Sequence, residues 1–328
     1  MLIYISDYSN TRLYVYALHM PFFFVVSGML HKFNNTVQWK KYVKTILYPS
    51  LFFLILFTIV AAPMFHNAIW EMPDYYYRVG GGSLRDIYIS VILTTVKSFM
   101  VSHMFTNTMV WFLIVLFYCK VLLDIVLGLL MKVNGVVNSG KRMVLYVGGM
   151  IICLAGFYVL IKFSFPMFLN QVIMAFPFYL IGYILKKMHY DSKVVKVYKK
   201  MFFVLAILCL SILITNLNGR VSMHAIIWGN QGLLSIPLFY FNGLLGSVML
   251  LLIATCCKFK SRFFEIVSDC MISIVGFQIF FIDIIRYQIG FDNNCIISGL
   301  FTLLIMLICI LIHRLFMRFV PFVYGKSK

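Results

Sequence analysis

The chain has 328 residues, of which 62% are hydrophobic and only 12% charged. A soluble domain of this length could not bury so much apolar surface, so its solvent is lipid; apolar stretches of about 20 residues between short polar loops mean helices, not a barrel. A net charge of +18 would suggest nucleic acid in a soluble protein, but here the charges fall between hydrophobic spans and indicate membrane orientation and contact with anionic lipid.

In chain order, spans are predicted over 14–31, 45–63, 107–130, 143–161, 167–185, 201–217, 233–255, 267–288 and 296–316. These nine helices make an all-α, polytopic membrane bundle. The weaker segment 87–102 carries Lys97 and follows Gly80, Gly81 and Gly82. It reads as an interfacial helix lying on the membrane. The spans alternate consistently in charge. Twenty of the 28 Lys and Arg residues fall in the loops after the first, third, fifth and seventh spans and in the C-terminal tail. By the positive-inside rule that side is cytoplasmic. The C-terminus is then inside, the N-terminus outside, and the protein is a multi-pass component of the cytoplasmic membrane. Residues 1–13 are too short and polar to span and have no signal-peptide pattern. The eight cysteines form no CxxC or Cys/His pattern and read as small core residues, with no metal site expected.

Five stretches carry a resemblance. "HMPFFFVVSGML" (19–30) is similar to the signature of the membrane acyltransferase 3 family, a His-Met-Pro-aromatic run ending in Ser-Gly. "WKKYVKTILYPSLFF" (39–53) resembles that family's basic turn into a proline-containing span. "NTMVWFLIVLF" (107–117) resembles its Trp-Phe-Leu helix, and "FPFYLIGYILKK" (176–187) its glycine-containing helix with a basic exit. "WGNQGLLSIPLFYFNGLLGSVMLLL" (228–252) resembles the sugar O-acetyltransferase branch that contains the fucose acetylases of nodulation factors. The order is kept along nearly the whole chain, so 1–328 is read as one integral-membrane domain.

The resemblance implies ten spans and a bacterial envelope enzyme. It would move an acetyl group from acetyl-CoA, a co-substrate and not a resident cofactor, to a sugar hydroxyl of an envelope polysaccharide or lipid-linked glycan. The family's first helix commonly ends in Gly-His, and this sequence begins after that helix, so the domain is expected to be N-terminally incomplete. Many relatives also carry histidine where this chain has Gln278.

Against that background His19 is the candidate catalytic residue. Imidazole suits proton removal from an attacking hydroxyl near neutral pH. Pro21 suits a helix first turn, which would put His19 at a helix mouth; the alternative is a histidine that only caps or packs. Lys40, Lys41 and Lys44 are candidate ligands for the phosphates of the acyl donor, or simple positive-inside anchors. Lys120 and Asp124, four apart in one span, are expected to form an intramembrane polar pair, lining the donor path or serving structure alone. Asp283 and Arg286 form a similar pair, read as structural. Arg12, Asn107, Trp111, Asn230 and Tyr240 are candidate acceptor-binding residues, because sugars present C–H faces to aromatic rings and hydroxyl edges to amides; interfacial aromatic belts are the alternative. Gly28, Gly182 and Gly246 are expected to allow close helix packing. A different class, a transporter or flippase for a lipid-linked sugar, and an inactive truncated relative stay open.

Overall fold

The computed structural model describes residues 9–67, 83–101, 110–133, 165–187, 197–256, 262–288 and 295–324. Its helices are α1 (Ser9–Met29), the short α2 (Trp39–Tyr42), which runs through a π-helical turn (Val43–Leu47) into α3 (Tyr48–His66), then α4 (Leu84–Met100), α5 (Val110–Val133), α6 (Leu169–Lys187), α7 (Val197–Asn218), α8 (Ser235–Cys256), α9 (Arg262–Asp269), α10 (Met271–Gln288) and α11 (Cys295–Phe319). Among the described residues there is no strand, only an isolated bridge between Ser222 and Ile227. Among the described residues, six stretches are long and apolar enough to cross a membrane: Trp39–His66, Val110–Leu129, Leu169–Lys187, Met201–Asn218, Gly232–Thr255 and Gly299–Phe319. Leu13–Met29 and Met271–Ile285 are shorter apolar helices. Together they coincide with eight of the nine predicted spans; 143–161 lies outside the described residues.

The bundle is organised around α1. Its closest neighbour is α6, and the approach is backbone to backbone. A Cβ added at Gly28 would press on the Tyr179 carbonyl, 2.9 Å from its carbon, and one at Gly182 would stand 2.7 Å from the Val25 carbonyl carbon. Without a hydrophobic force between helices in lipid, such small residues let dispersion contacts hold the pair. On its other side α1 meets α8, where a Cβ at Gly246 would come within 3.0 Å of Leu18 Cγ and one at Gly243 within 2.9 Å of Pro21 Cβ. A second group joins α3, α10 and α11 through edge-on and tilted ring contacts: Phe53 with Phe277 at 5.2 Å, Phe57 with Phe280 at 5.4 Å and Phe277 with Phe316 at 5.5 Å between centroids.

The bundle has a basic end and an opposite end. Residues 28–44, 120–124 and 179–187 converge at the first, and the 3-10 segment Pro321–Tyr324 packs there on α3 and the π-turn. At the second lie the end of α3, the start of α5 and α6, and the hairpin 219–231 between α7 and α8. Helix α4 belongs wholly to the opposite end. Its first turns pack on the last turns of α3, with Tyr88 Oη donating to Ile59 O at 3.2 Å, and its last turn reaches the start of α6, where Met167 N donates to Phe99 O at 2.7 Å. A helix with both ends at one end of the bundle does not cross it, which agrees with the surface-lying reading of 87–102. Ser83 caps it, accepting from Asp86 N.

One expectation is corrected here. Helix α1 starts at Ser9, so Pro21 is inside it and not in its first turn. His19 therefore stands near the middle of the helix and not at its mouth. Membrane helices tolerate an internal proline because neighbouring groups take up the freed carbonyl.

Candidate functional site

At the basic end, α1 stops at Met29 and the chain turns back so that His31 enters the bundle. His31 is 2% exposed and Asp124, on α5, 0%. His31 Nε2 lies 3.0 Å from Asp124 Oδ1 and Nδ1 lies 2.8 Å from Tyr179 Oη. A carboxylate only accepts, so Nε2 carries the proton; in the neutral ring Nδ1 then accepts from the tyrosine. The other carboxylate oxygen, Oδ2, accepts from Gln38 N at 3.0 Å. Lys186 Nζ donates to His31 O at 3.0 Å. The rings of Tyr42, Tyr179 and Tyr183 surround the imidazole at 6.4, 5.8 and 5.7 Å. Burial pushes the His31 imidazole below its ordinary range, and the Asp124 carboxylate pulls the other way without reversing it.

This corrects the expected Lys120–Asp124 pair. Both carboxylate oxygens are taken by His31 and Gln38, and the Lys120 ammonium lies 5.4 Å above the Tyr42 ring. Helix geometry gives the reason. A cation four residues before an anion is the weaker order on a helix. Asp124 faces the core, while the lysine stem is long enough to run to the rim. Lys40, Lys41 and Lys44 are exposed on α2 and the π-turn. Sequence reasoning missed His31, Tyr179 and Tyr42. A histidine at the last position of the first predicted span was visible; its partner 93 residues away was not.

Toward the opposite end lies His19. Its Nδ1 is 2.7 Å from Val15 O. A carbonyl only accepts, so Nδ1 carries the proton and Nε2 of the neutral ring keeps a lone pair. His19 shares a helix face with Phe23, whose ring meets that of Phe112 on α5 at 4.7 Å. One turn nearer the opposite end, His19 is thus level with the start of α5.

At the opposite end, aromatic side chains gather under the hairpin 219–231. Ser222 and Ile227 exchange two backbone bonds of 2.8 Å, and Val221 and Met223 are buried in the core. Gln171 Nε2 donates to His224 O at 3.1 Å, and the His224 ring lies 5.6 Å from that of Trp111. Trp228 meets Phe239 at 5.4 Å and Tyr240 at 6.0 Å, and Tyr240 meets Phe178 at 5.2 Å. The buried Trp228 indole N–H has no acceptor among the described residues. Of the predicted acceptor residues, Trp111 and Tyr240 join this cluster. Asn230 does not. It is exposed at the neck of the hairpin, where its N donates to Asn218 O at 2.7 Å. Asn107 and the side chains of Arg12 and Arg286 lie outside the described residues.

The family model for the acyltransferase 3 family, described as an acyltransferase domain, matches residues 2–314. The chain belongs to this family. No curated protein matches it, and no solved structure does. The acyltransferase is thus a multi-pass helical membrane protein whose described residues include a lysine-rimmed carboxylate–imidazole cluster at one end, a tautomer-fixed histidine inside, and an aromatic cluster at the other end.

Proposed function

We propose that the protein O-acylates a sugar hydroxyl, with acetyl-CoA as donor and an envelope polysaccharide or lipid-linked glycan as acceptor. The observation that carries this is His19. Its Nδ1–H is held by Val15 O, so the neutral ring offers Nε2 as a base inside the bundle. The donor's phosphates meet Lys40, Lys41, Lys44 and Lys120 at the basic end, which faces the cytoplasm. His19 is ten residues before Met29, where α1 ends, about 15 Å at helical rise, so the extended pantetheine arm is the part of the donor that spans this depth. The acceptor enters from the opposite end. Its C–H faces lie against Trp111, Trp228 and Tyr240, and a hydroxyl supplies the acceptor that the Trp228 N–H lacks.

Nε2 of His19 takes the proton of the attacking hydroxyl. The C–O bond forms, the C–S bond breaks, and the proton passes to the departing sulfur, giving an ester and free thiol. Holding both substrates in one bundle supplies much of the rate. Membranes containing the protein are incubated with labelled acetyl-CoA and the native envelope glycan, and the glycan's mass is followed. A gain of one acetyl supports the reading. Translocation of the glycan with no mass change favours the transporter alternative, and neither outcome favours an inactive relative.

A further inference from the structure

The loop 30–38 has no regular structure, and Asn35 sits in the left-handed region at φ 61°. Yet it leads straight into Trp39–Tyr42 and the π-turn, the segment that bears Lys40, Lys41 and Lys44. Something must set the place of that segment against the bundle. One carboxylate does so at both ends of the loop: Asp124 Oδ1 receives His31 Nε2–H and Oδ2 receives Gln38 N, each at 3.0 Å. Asp124 is fully buried on α5, a long regular helix. The loop's near end is held a second time, by Lys186 to His31 O and by Tyr179 to His31 Nδ1.

Asp124 makes no direct ion pair with Lys120, although its charge still acts on that lysine, and Lys120 and Lys41 are close enough for their charges to act on each other. Two ammonium groups from different elements then share the rim with Lys186, an arrangement that attracts phosphate. The Asp124 charge partly offsets that attraction, while its two hydrogen bonds hold a loop.

We propose that Asp124, through His31 and Gln38, is a positioning residue for the acyl donor: it fixes the loop 31–38 and so the lysine row that receives the donor's phosphates. This rests on the acyl-transfer reading above. The two roles open to a buried aspartate beside a phosphate site make opposite predictions. If Asp124 acts only through its charge, removing the charge relieves repulsion and the donor binds more tightly. If it acts as the clamp, Asp124→Asn leaves an amide N–H opposite one of the two loop donors, the loop comes free, and the donor binds more weakly.

The test is equilibrium binding of CoA itself to the purified full chain in detergent, so the unknown acceptor does not enter. The clamp predicts that Asp124→Asn weakens CoA at least tenfold. It also predicts that His31→Ala does the same, and that His31→Gln, which keeps a donor toward Asp124, recovers part of the loss. Unchanged or tighter binding by a folded Asp124→Asn overturns the inference. Should that variant not fold, the His31→Ala and His31→Gln pair decides alone, and equal binding by both at the wild-type level overturns it. Failure of the wild type to bind CoA overturns the donor reading itself, a different result from wild-type binding that the variants leave untouched.

Discussion

Replacing Gly182 by alanine tests the central helix contact. A Cβ there meets the backbone of α1 head on, 2.7 Å from the Val25 carbonyl carbon and closer still to its oxygen. Ordinary contact between such atoms begins near 3.4 Å, and neither side is a flexible side chain that could turn away. The helices must therefore part by roughly an ångström. Overpacking of this kind costs about 1–3 kcal/mol, and a collision of two backbones belongs at the upper end. The separation also moves the Tyr179 hydroxyl from His31 Nδ1, now at 2.8 Å, adding the loss of a buried hydrogen bond worth about 1 kcal/mol. Gly182→Ala should thus lower stability by about 3–4 kcal/mol, read as a shifted unfolding midpoint in an SDS titration or by steric trapping in bicelles. Gly28→Ala should cost a similar amount, because its Cβ strikes the Tyr179 carbonyl in the same contact. The double variant should cost much less than the sum, since helices already parted need not part again. A Gly182→Ala midpoint within about 0.5 kcal/mol of wild type, against the scale of typical surface substitutions, would refute the backbone-contact argument.

Further outcomes follow from the polar sites. His19→Gln should reduce acyl transfer by about 10²–10⁴-fold, the usual worth of a general base, with CoA binding unchanged. Loss of binding in step with activity would point to a packing role. The buried His31 has a folded pKa below its unfolded value of about 6.5. Below that value the unfolded chain binds a proton that the folded one does not, so stability is full above pH 6.5 and falls as pH drops from there through the folded pKa. Melting temperatures at pH 7.5 and 5.5 should therefore differ more for the wild type than for His31→Gln. At the basic end, Ser273 Oγ bonds both His313 Nδ1 and Tyr324 Oη. Tyr324→Phe removes one of these bonds, with an expected loss of about 1 kcal/mol and weaker CoA binding through the π-turn beside it.

The spans were legible because lipid imposes a length and a composition that short-range sequence shows directly. Segment 87–102 was set apart for the converse reason: it is the weaker apolar stretch, carries Lys97 and follows Gly80, Gly81 and Gly82. Pro21 misled because its usual place in soluble helices is the first turn, whereas a membrane helix can carry it inside. Lys120 and Asp124 misled because spacing along one helix was the only neighbourhood the sequence displayed. Two partners that Asp124 does have, His31 and Gln38, are 93 and 86 residues away. The glycines were read as packing residues, but nothing in the chain said that Gly28 and Gly182 serve one another's helix. Trp111 and Tyr240 stood out singly as aromatics suited to a sugar face; their union under the hairpin, where Val221 and Met223 are buried, was not visible in the chain.

The segment Pro321–Tyr324 has a consequence for biosynthesis. It lies beyond the residues matched by the family model, yet Pro321, Val323 and Tyr324 are buried and the segment packs on α3 and the π-turn. Translation runs from the N-terminus, and early segments fold first. The lysine-bearing turn is among the first parts to leave the ribosome, but its support is made almost three hundred residues later. During insertion the basic end is therefore incomplete, and a nascent chain halted before residue 321 would present those lysines without the scaffold that holds them in place.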